Sequence, residues 1–167
     1  PPTKDFGDWS GSGAATSTAN STVNANLKLG AQSEAEAAAT RNSTATGDDT
    51  TGIDDEDGVT LPSSWSVGQA SNFVFNLTNT TGANAYLRTW LDYNNDGDFE
   101  DSGELVVTST IPTGTSGATQ YYAVTPLAAG SNLGVRVRLS SDANVTPTSA
   151  TGTGEIAFPD HPTIENR

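Results

Sequence analysis

The chain has 167 residues, no cysteine, no methionine, one histidine and a formal net charge of −13 from 20 acids and 7 bases. A single domain-sized core is expected at this length, and the lack of cysteine excludes disulfides, thiolate catalysis and zinc–thiolate sites. Seven bases scattered among 20 acids cannot build a phosphate-binding patch, which excludes nucleic acid as a partner and disfavours anionic membrane surfaces.

The polar surface is instead built from small uncharged residues, with 25 Thr, 17 Ser, 17 Gly and 20 Ala in the chain. Such a composition favours strands and turns over long helices. No apolar run approaches the ~20 residues of a membrane span, so membrane insertion is not expected. There is no initiator methionine and no charged-then-apolar leader. The chain therefore reads as a mature, exported product, extracellular or held at the cell surface. Polyvalent cations are the natural partners of so acidic a surface.

Residues 1–21 hold two large apolar side chains, Phe6 and Trp9, among Gly, Ser, Thr and Ala. This composition cannot build a core alone, which makes the segment an N-terminal arm with two candidate anchors. From Thr22 to Ala31 the apolar residues fall at Val23, Ala25, Leu27, Leu29 and Ala31, the period of a half-buried strand. Residues 32–58 contain Ile53 as their one large apolar side chain and read as a long loop, with Glu34–Thr40 as a short helical turn. The loop ends in an acidic run of Asp48, Asp49, Asp54, Asp55, Glu56 and Asp57. Of these, Asp54, Asp55 and Asp57 are candidate ligands of a second cation site, set against the plainer reading of an exposed acidic loop.

The body of the chain then shows regular strand patterns over Val59–Leu61, Ser71–Thr78, Ala85–Asp92, Glu104–Thr110, Ala118–Thr125, Asn132–Ser140 and Gly154–Phe158, separated by Pro, Gly, Ser and Asn turns. Phe73, Phe75, Leu77, Leu87, Leu91, Leu133, Val135, Val137 and Leu139 form the expected core, with Arg136 and Arg138 on the opposite face of their strand. The pattern predicts an all-β sandwich, Ig-like or jelly-roll, of about eight strands. A loose arm over 1–21 precedes this domain, which spans 22–167.

The chemistry concentrates in Asp92-Tyr93-Asn94-Asn95-Asp96-Gly97-Asp98-Phe99-Glu100-Asp101-Ser102-Gly103-Glu104. Oxygen-bearing side chains at Asp92, Asn94, Asp96 and Asp98, with Gly97 for the sharp turn, match a calcium loop, because calcium takes about six to eight hard oxygens at variable angles. Glu104 or Glu100 is expected to complete the shell. Strand patterns flank the loop, so it is not an EF-hand. The alternative is a solvated Asp/Asn/Gly hairpin.

The segments GDDTTGIDDEDGV (47–59), WLDYNNDGDFEDSGE (90–104), GVRVRLSS (134–141) and GTGEI (152–156) together resemble the GEVED domain, a bacterial extracellular β-sandwich family. Asp5-Phe6-Gly7-Asp8 and Leu27-Lys28-Leu29-Gly30-Ala31 resemble the start of that family. The chain departs from it at Ile156-Ala157-Phe158, so that Glu155 alone carries over from the acids of the closing motif. The resemblance implies a secreted or surface protein of adhesive or matrix type, without catalysis.

An enzyme is not expected on the residues themselves either. His161 lies in a Pro-Asp-His-Pro tail, no base partners a hydroxyl nucleophile in a recognisable motif, and the acids cluster with metal spacing instead of facing one another across a cleft. Trp65, Trp90, Tyr93, Tyr121 and Tyr122 are candidates for stacking on sugars or for strand packing. Asn20, Asn42, Asn76, Asn79 and Asn144 lie in glycosylation sequons.

Two functions follow as expectations. The first is a structural, pilus-like subunit of an extracellular filament or matrix, a homopolymer stiffened by calcium. Here Phe6, Trp9, Val23, Leu27 and Leu29 carry strand donation to a neighbouring copy. The second is a carbohydrate-binding, adhesive module that takes surface glycans.

Overall fold

The computed structural model describes residues 3–5, 20–31, 58–62, 64–131, 133–150, 152–157 and 164–166. Phe6, Trp9, the Glu34–Thr40 turn, Asn42, the acids at Asp48, Asp49, Asp54, Asp55, Glu56 and Asp57, and His161 lie outside these residues. The described strands are β1 (Lys4–Asp5), β2 (Ser21–Thr22), β3 (Leu27–Leu29), β4 (Val59–Thr60), β5 (Ser71–Asn79), β6 (Ala85–Leu91), β7 (Leu105–Ile111), β8 (Thr115–Val124), β9 (Val135–Ser140) and β10 (Gly154–Ala157), with no helix among the described residues. All described strand pairings are antiparallel. One sheet runs β10–β9–β6–β7, and the other is built on β5, which carries β3 and β4 along one side and β8 along the other.

The architecture follows from side-chain alternation. In β5, Phe73, Phe75 and Leu77 point inward and are fully buried, and β9 contributes Val135, Val137 and Leu139 from the facing sheet. All nine expected core residues lie in one buried cluster, joined by Trp65, Val107, Ile111, Val124 and Ile164. Each such side chain contributes about 1.5–3 kcal/mol by leaving water. Trp65 packs edge-on to Phe73 with ring centroids 5.2 Å apart, and Phe75 meets Tyr122 at 5.6 Å.

Two expectations are corrected. The strand expected over residues 22–31 is broken. Asn24 accepts a hydrogen bond from the Asn26 amide on its side-chain oxygen and from the Leu27 amide on its carbonyl, at 2.9 Å each. That Asx-type turn outcompetes extended pairing, so Leu27 and Leu29 are buried while Val23 and Ala25 are not in the core. The second correction concerns the outer face of β9. Arg136 and Arg138 are both fully buried, because the 141–150 segment and the N-terminal strands cover that face.

The cover is polar as well as apolar. Arg138 donates to the Thr146 and Ser149 carbonyls at 2.8 and 2.7 Å and to the Asn20 carbonyl at 2.8 Å. Burial lowers its guanidinium to about 10, with Asp5 and Asp142 opposing that shift. Asp5 itself is buried and accepts from the Ile156 amide at 2.7 Å. Arg136 donates to the Pro147 carbonyl, and its guanidinium lies 5.2 Å from the Phe99 ring centre. Phe99, Trp90, Val145 and Ile156 make a second apolar cluster on this outer face.

A Gly-Glu pair in β10 closes the sandwich. Glu155 in β10 is buried, and its Oε2 accepts the Leu29 amide of β3, which joins an edge of one sheet to an edge of the other. Gly154 precedes it with φ +137°, and a Cβ there would lie 1.9 Å from the Leu139 carbonyl oxygen. Neither the backbone angle nor the space admits a side chain. Gly154→Ala is therefore expected to destabilise the protein by about 3 kcal/mol or more, read from the denaturant midpoint. A loss under about 1 kcal/mol would mean that β10 does not approach β9 this closely.

Candidate metal centre

The acidic loop joins β6, in the middle of its sheet, to the edge strand β7. Its base is closed by backbone bonds from Leu91 N to Glu104 O at 2.8 Å and from Asp92 N to Gly134 O at 3.0 Å. From there the loop is a staircase of side-chain caps. Asn94 Oδ1 accepts from Asp96 N at 3.3 Å, Asp96 Oδ1 from Asp98 N at 3.1 Å, and Asp98 Oδ1 from Glu100 N at 3.0 Å. Each is the i to i+2 bond that Asp and Asn favour in turns. Asn95 and Gly97 adopt positive φ, at 56° and 93°, the conformations Asn and Gly tolerate best.

The six candidate ligands separate into distinct roles. Asp92 is fully buried, and its two oxygens accept from Gly97 N at 2.9 Å and Asp96 N at 3.2 Å. Glu104 is 1% exposed and accepts from Tyr93 N at 3.2 Å and Asp101 N at 3.1 Å. These two acids hold the loop from beneath. Above them, carboxylate oxygens of Asp96, Asp98 and Asp101 lie within 4.8 Å of one another. Asn94 Nδ2 donates to Asp96 at 2.9 Å and to Asp101 at 2.6 Å, bridging two of the three. Glu100 is exposed and lies outside this group.

Asp101 was missed by the reading of alternate positions, because the Ser102-Gly103 turn, with Gly103 at φ +88°, folds the chain back. The proximity of Asp101 to the turn ahead of Glu104 is the signal that pointed to it. Phe99 is the other determinant. Its burial beside Trp90 fixes the loop against the sheet, which leaves the neighbouring acids facing outward.

The donor set is hard oxygen only, as calcium prefers, and the electrostatics favour a cation. Burial raises the Asp92 carboxyl above its usual range, assisted by the charge of Asp96. Burial likewise pushes Glu104 up to about 7, with the charges of Asp92 and Asp101 adding to it and backbone donors opposing. A divalent ion at the triad would supply the positive charge that these carboxylates lack.

The other candidates fall in different surroundings. Trp65 and Trp90 are buried, Tyr93 and Tyr122 pack partly against the core, and Tyr121 alone of the five aromatics is exposed, at 65%. Asn79 is fully buried, its amide donating to the Ala83 and Ile111 carbonyls at 2.9 and 2.8 Å, so the folded chain has no room for a glycan there. Asn76 lies part-exposed in β5 and Asn144 is exposed in a loop, while Asn20 is part-exposed beside β2.

The fold and the site together are a β-sandwich with an Asp/Asn/Gly loop joining two neighbouring strands and a buried Gly-Glu pair in β10. The GEVED domain matches residues 86–157, which run from β6 through the acidic loop to the end of β10, so this part of the chain is similar to that family. No curated protein matches the chain.

The raised Glu104 carboxyl has a defined consequence in chelator. The unfolded group loses its proton near 4.5 and the folded group only near 7, so the folded state binds more protons between these values. Stability from this residue is complete below the lower value and is lost as pH rises through the upper one. Thermal melts in chelator should show wild type losing stability relative to Glu104→Gln across that window. Parallel pH slopes for the two proteins would contradict the assignment.

Proposed function

We propose that this protein is a structural subunit of an extracellular filament or matrix. Calcium held by Asp96, Asp98 and Asp101 stiffens it, with the Asn94 side chain alongside. The observation that carries this reading is the convergence of three carboxylates on a loop whose base is made rigid by two buried acids. A cation there ties the middle strand β6 to the edge strand β7 through the loop that joins them. It also neutralises part of a charge of −13 that otherwise opposes close packing of like subunits.

The joining of subunits falls to the N-terminal segment. Leu27 and Leu29 fill the core through β3, which pairs with β5 over three residues, and β2 contributes two. Strands this short are held largely by their side chains, and the same pockets accept the same residues from a neighbouring copy. Exchange of this kind, repeated head to tail, generates a filament.

Calcium at about 100 times its Kd should stabilise the fold by about 2.7 kcal/mol, which raises Tm by about 5–10 °C. Asp101→Ala and Asp96→Ala should each remove most of that rise, and Glu100→Ala should retain it. A melting curve unmoved between calcium and chelator overturns the metal reading. Electron microscopy tests assembly separately: filaments in calcium are expected, and a dispersed protein at every calcium concentration overturns the subunit reading.

A further inference from the structure

We propose that the outer edge of β8 is a self-association site at which a second copy of this chain pairs antiparallel about a two-fold axis. Among the described residues β8 pairs only with β5, and the strand runs from Thr115 to Val124 along the border of its sheet. A long exposed edge is a template for another strand. Proteins commonly block it with charge, proline or a covering element. Here the strand reads TSGATQYYAV and contains neither a charged residue nor proline. Its one irregularity is Gly117 at φ +57°, which leaves residues 118–124 as an extended run.

The charge distribution selects the occupant. Residues 58–87 and 105–135 contain no Asp, Glu, Lys or Arg, and they supply all of β4, β5, β7 and β8. The one charged side chain in the strands of the β5 sheet is Lys28 in β3, on the far side of β5 from β8. A protein with a net charge of −13 therefore offers a like molecule, at β8, an edge ten residues long that carries no charge of its own. Tyr121 stands on that edge, 65% exposed, and tyrosine is enriched where protein surfaces meet.

The direction of pairing follows from the acidic loop. Gly103 approaches Leu127, so the loop lies beyond the Val124 end of β8. Antiparallel pairing sends the two loops to opposite ends of the joined strands, ~30 Å apart and well beyond the screening length of about 8 Å at physiological salt. Parallel pairing would set them side by side. With Gln120 opposite its own copy, Thr119 of one molecule faces Tyr121 of the other.

Sedimentation velocity of the full chain at physiological salt in chelator tests this without reliance on calcium. Wild type should associate reversibly with concentration. Thr119→Lys/Tyr121→Lys should raise the dimer Kd about tenfold or more, because like charges then oppose across the pair. Mixing that protein with Thr119→Glu/Tyr121→Glu should restore association, a rescue that unfolded variants would not give. The alternate amides of residues 118–124 that point away from β5 should exchange rapidly in dilute solution and become protected as the dimer forms. The proposal is overturned by a wild type that stays monomeric at all concentrations, by a Lys variant that associates like wild type, by mixing that restores nothing, or by protection in the dilute monomer of the amides that point away from β5, which would place the chain's own residues on that edge.

Discussion

The hydrogen bond from a main-chain amide to a buried carboxylate recurs at every junction that this fold depends on. Asp5 accepts from Ile156, Glu155 from Leu29, Asp92 from Gly97 and Asp96, and Glu104 from Tyr93 and Asp101. Such charge-assisted bonds are shorter and stronger than neutral ones. In a chain without cysteine they perform the cross-linking that disulfides perform in many small secreted domains. Burying four carboxylates is costly, and removal of their donors would leave uncompensated charge in the interior.

The distribution of these bonds explains why the molecule has two unlike faces. The β10–β9–β6–β7 sheet is covered on both sides. The sandwich core lies within, and Arg136, Arg138 and the Phe99 cluster lie without. Nearly all the described charge is gathered there. Among the described residues, the sheet built on β5 is covered on its inner side only, and its strands carry no charge apart from Lys28. The acidic loop belongs to the first sheet and the open edge of β8 to the second, so the proposed cation site and the proposed pairing edge occupy separate parts of the surface.

Much of this was legible in the sequence because the solvent enforces it. Alternation at Phe73, Phe75 and Leu77, and again from Leu133 to Leu139, is the direct imprint of a two-faced strand. The Asp/Asn/Gly loop was legible because few other structures tolerate so many acids in so few positions. What escaped was set by distant partners. The alternation from Val23 to Ala31 continues through a turn that Asn24 imposes, so periodicity alone overran it. Arg136 and Arg138 read as solvent-facing because nothing local shows that residues 141–150 return to cover them. Asp101 falls out of step with the alternating oxygens, and contacts with Asn94 and Glu104, distant from it along the loop, place it beside Asp96 and Asp98.

The acids of the loop are held in place at an electrostatic cost that a bound cation would relieve. Carbon-13 NMR titration of the Glu104 carboxyl, in chelator and in saturating calcium, measures that cost at one atom. The account predicts a midpoint near 7 in chelator and a marked fall when calcium is present, since a nearby positive charge favours the ionised form. A midpoint near the ordinary 4.5 that is indifferent to calcium would contradict it.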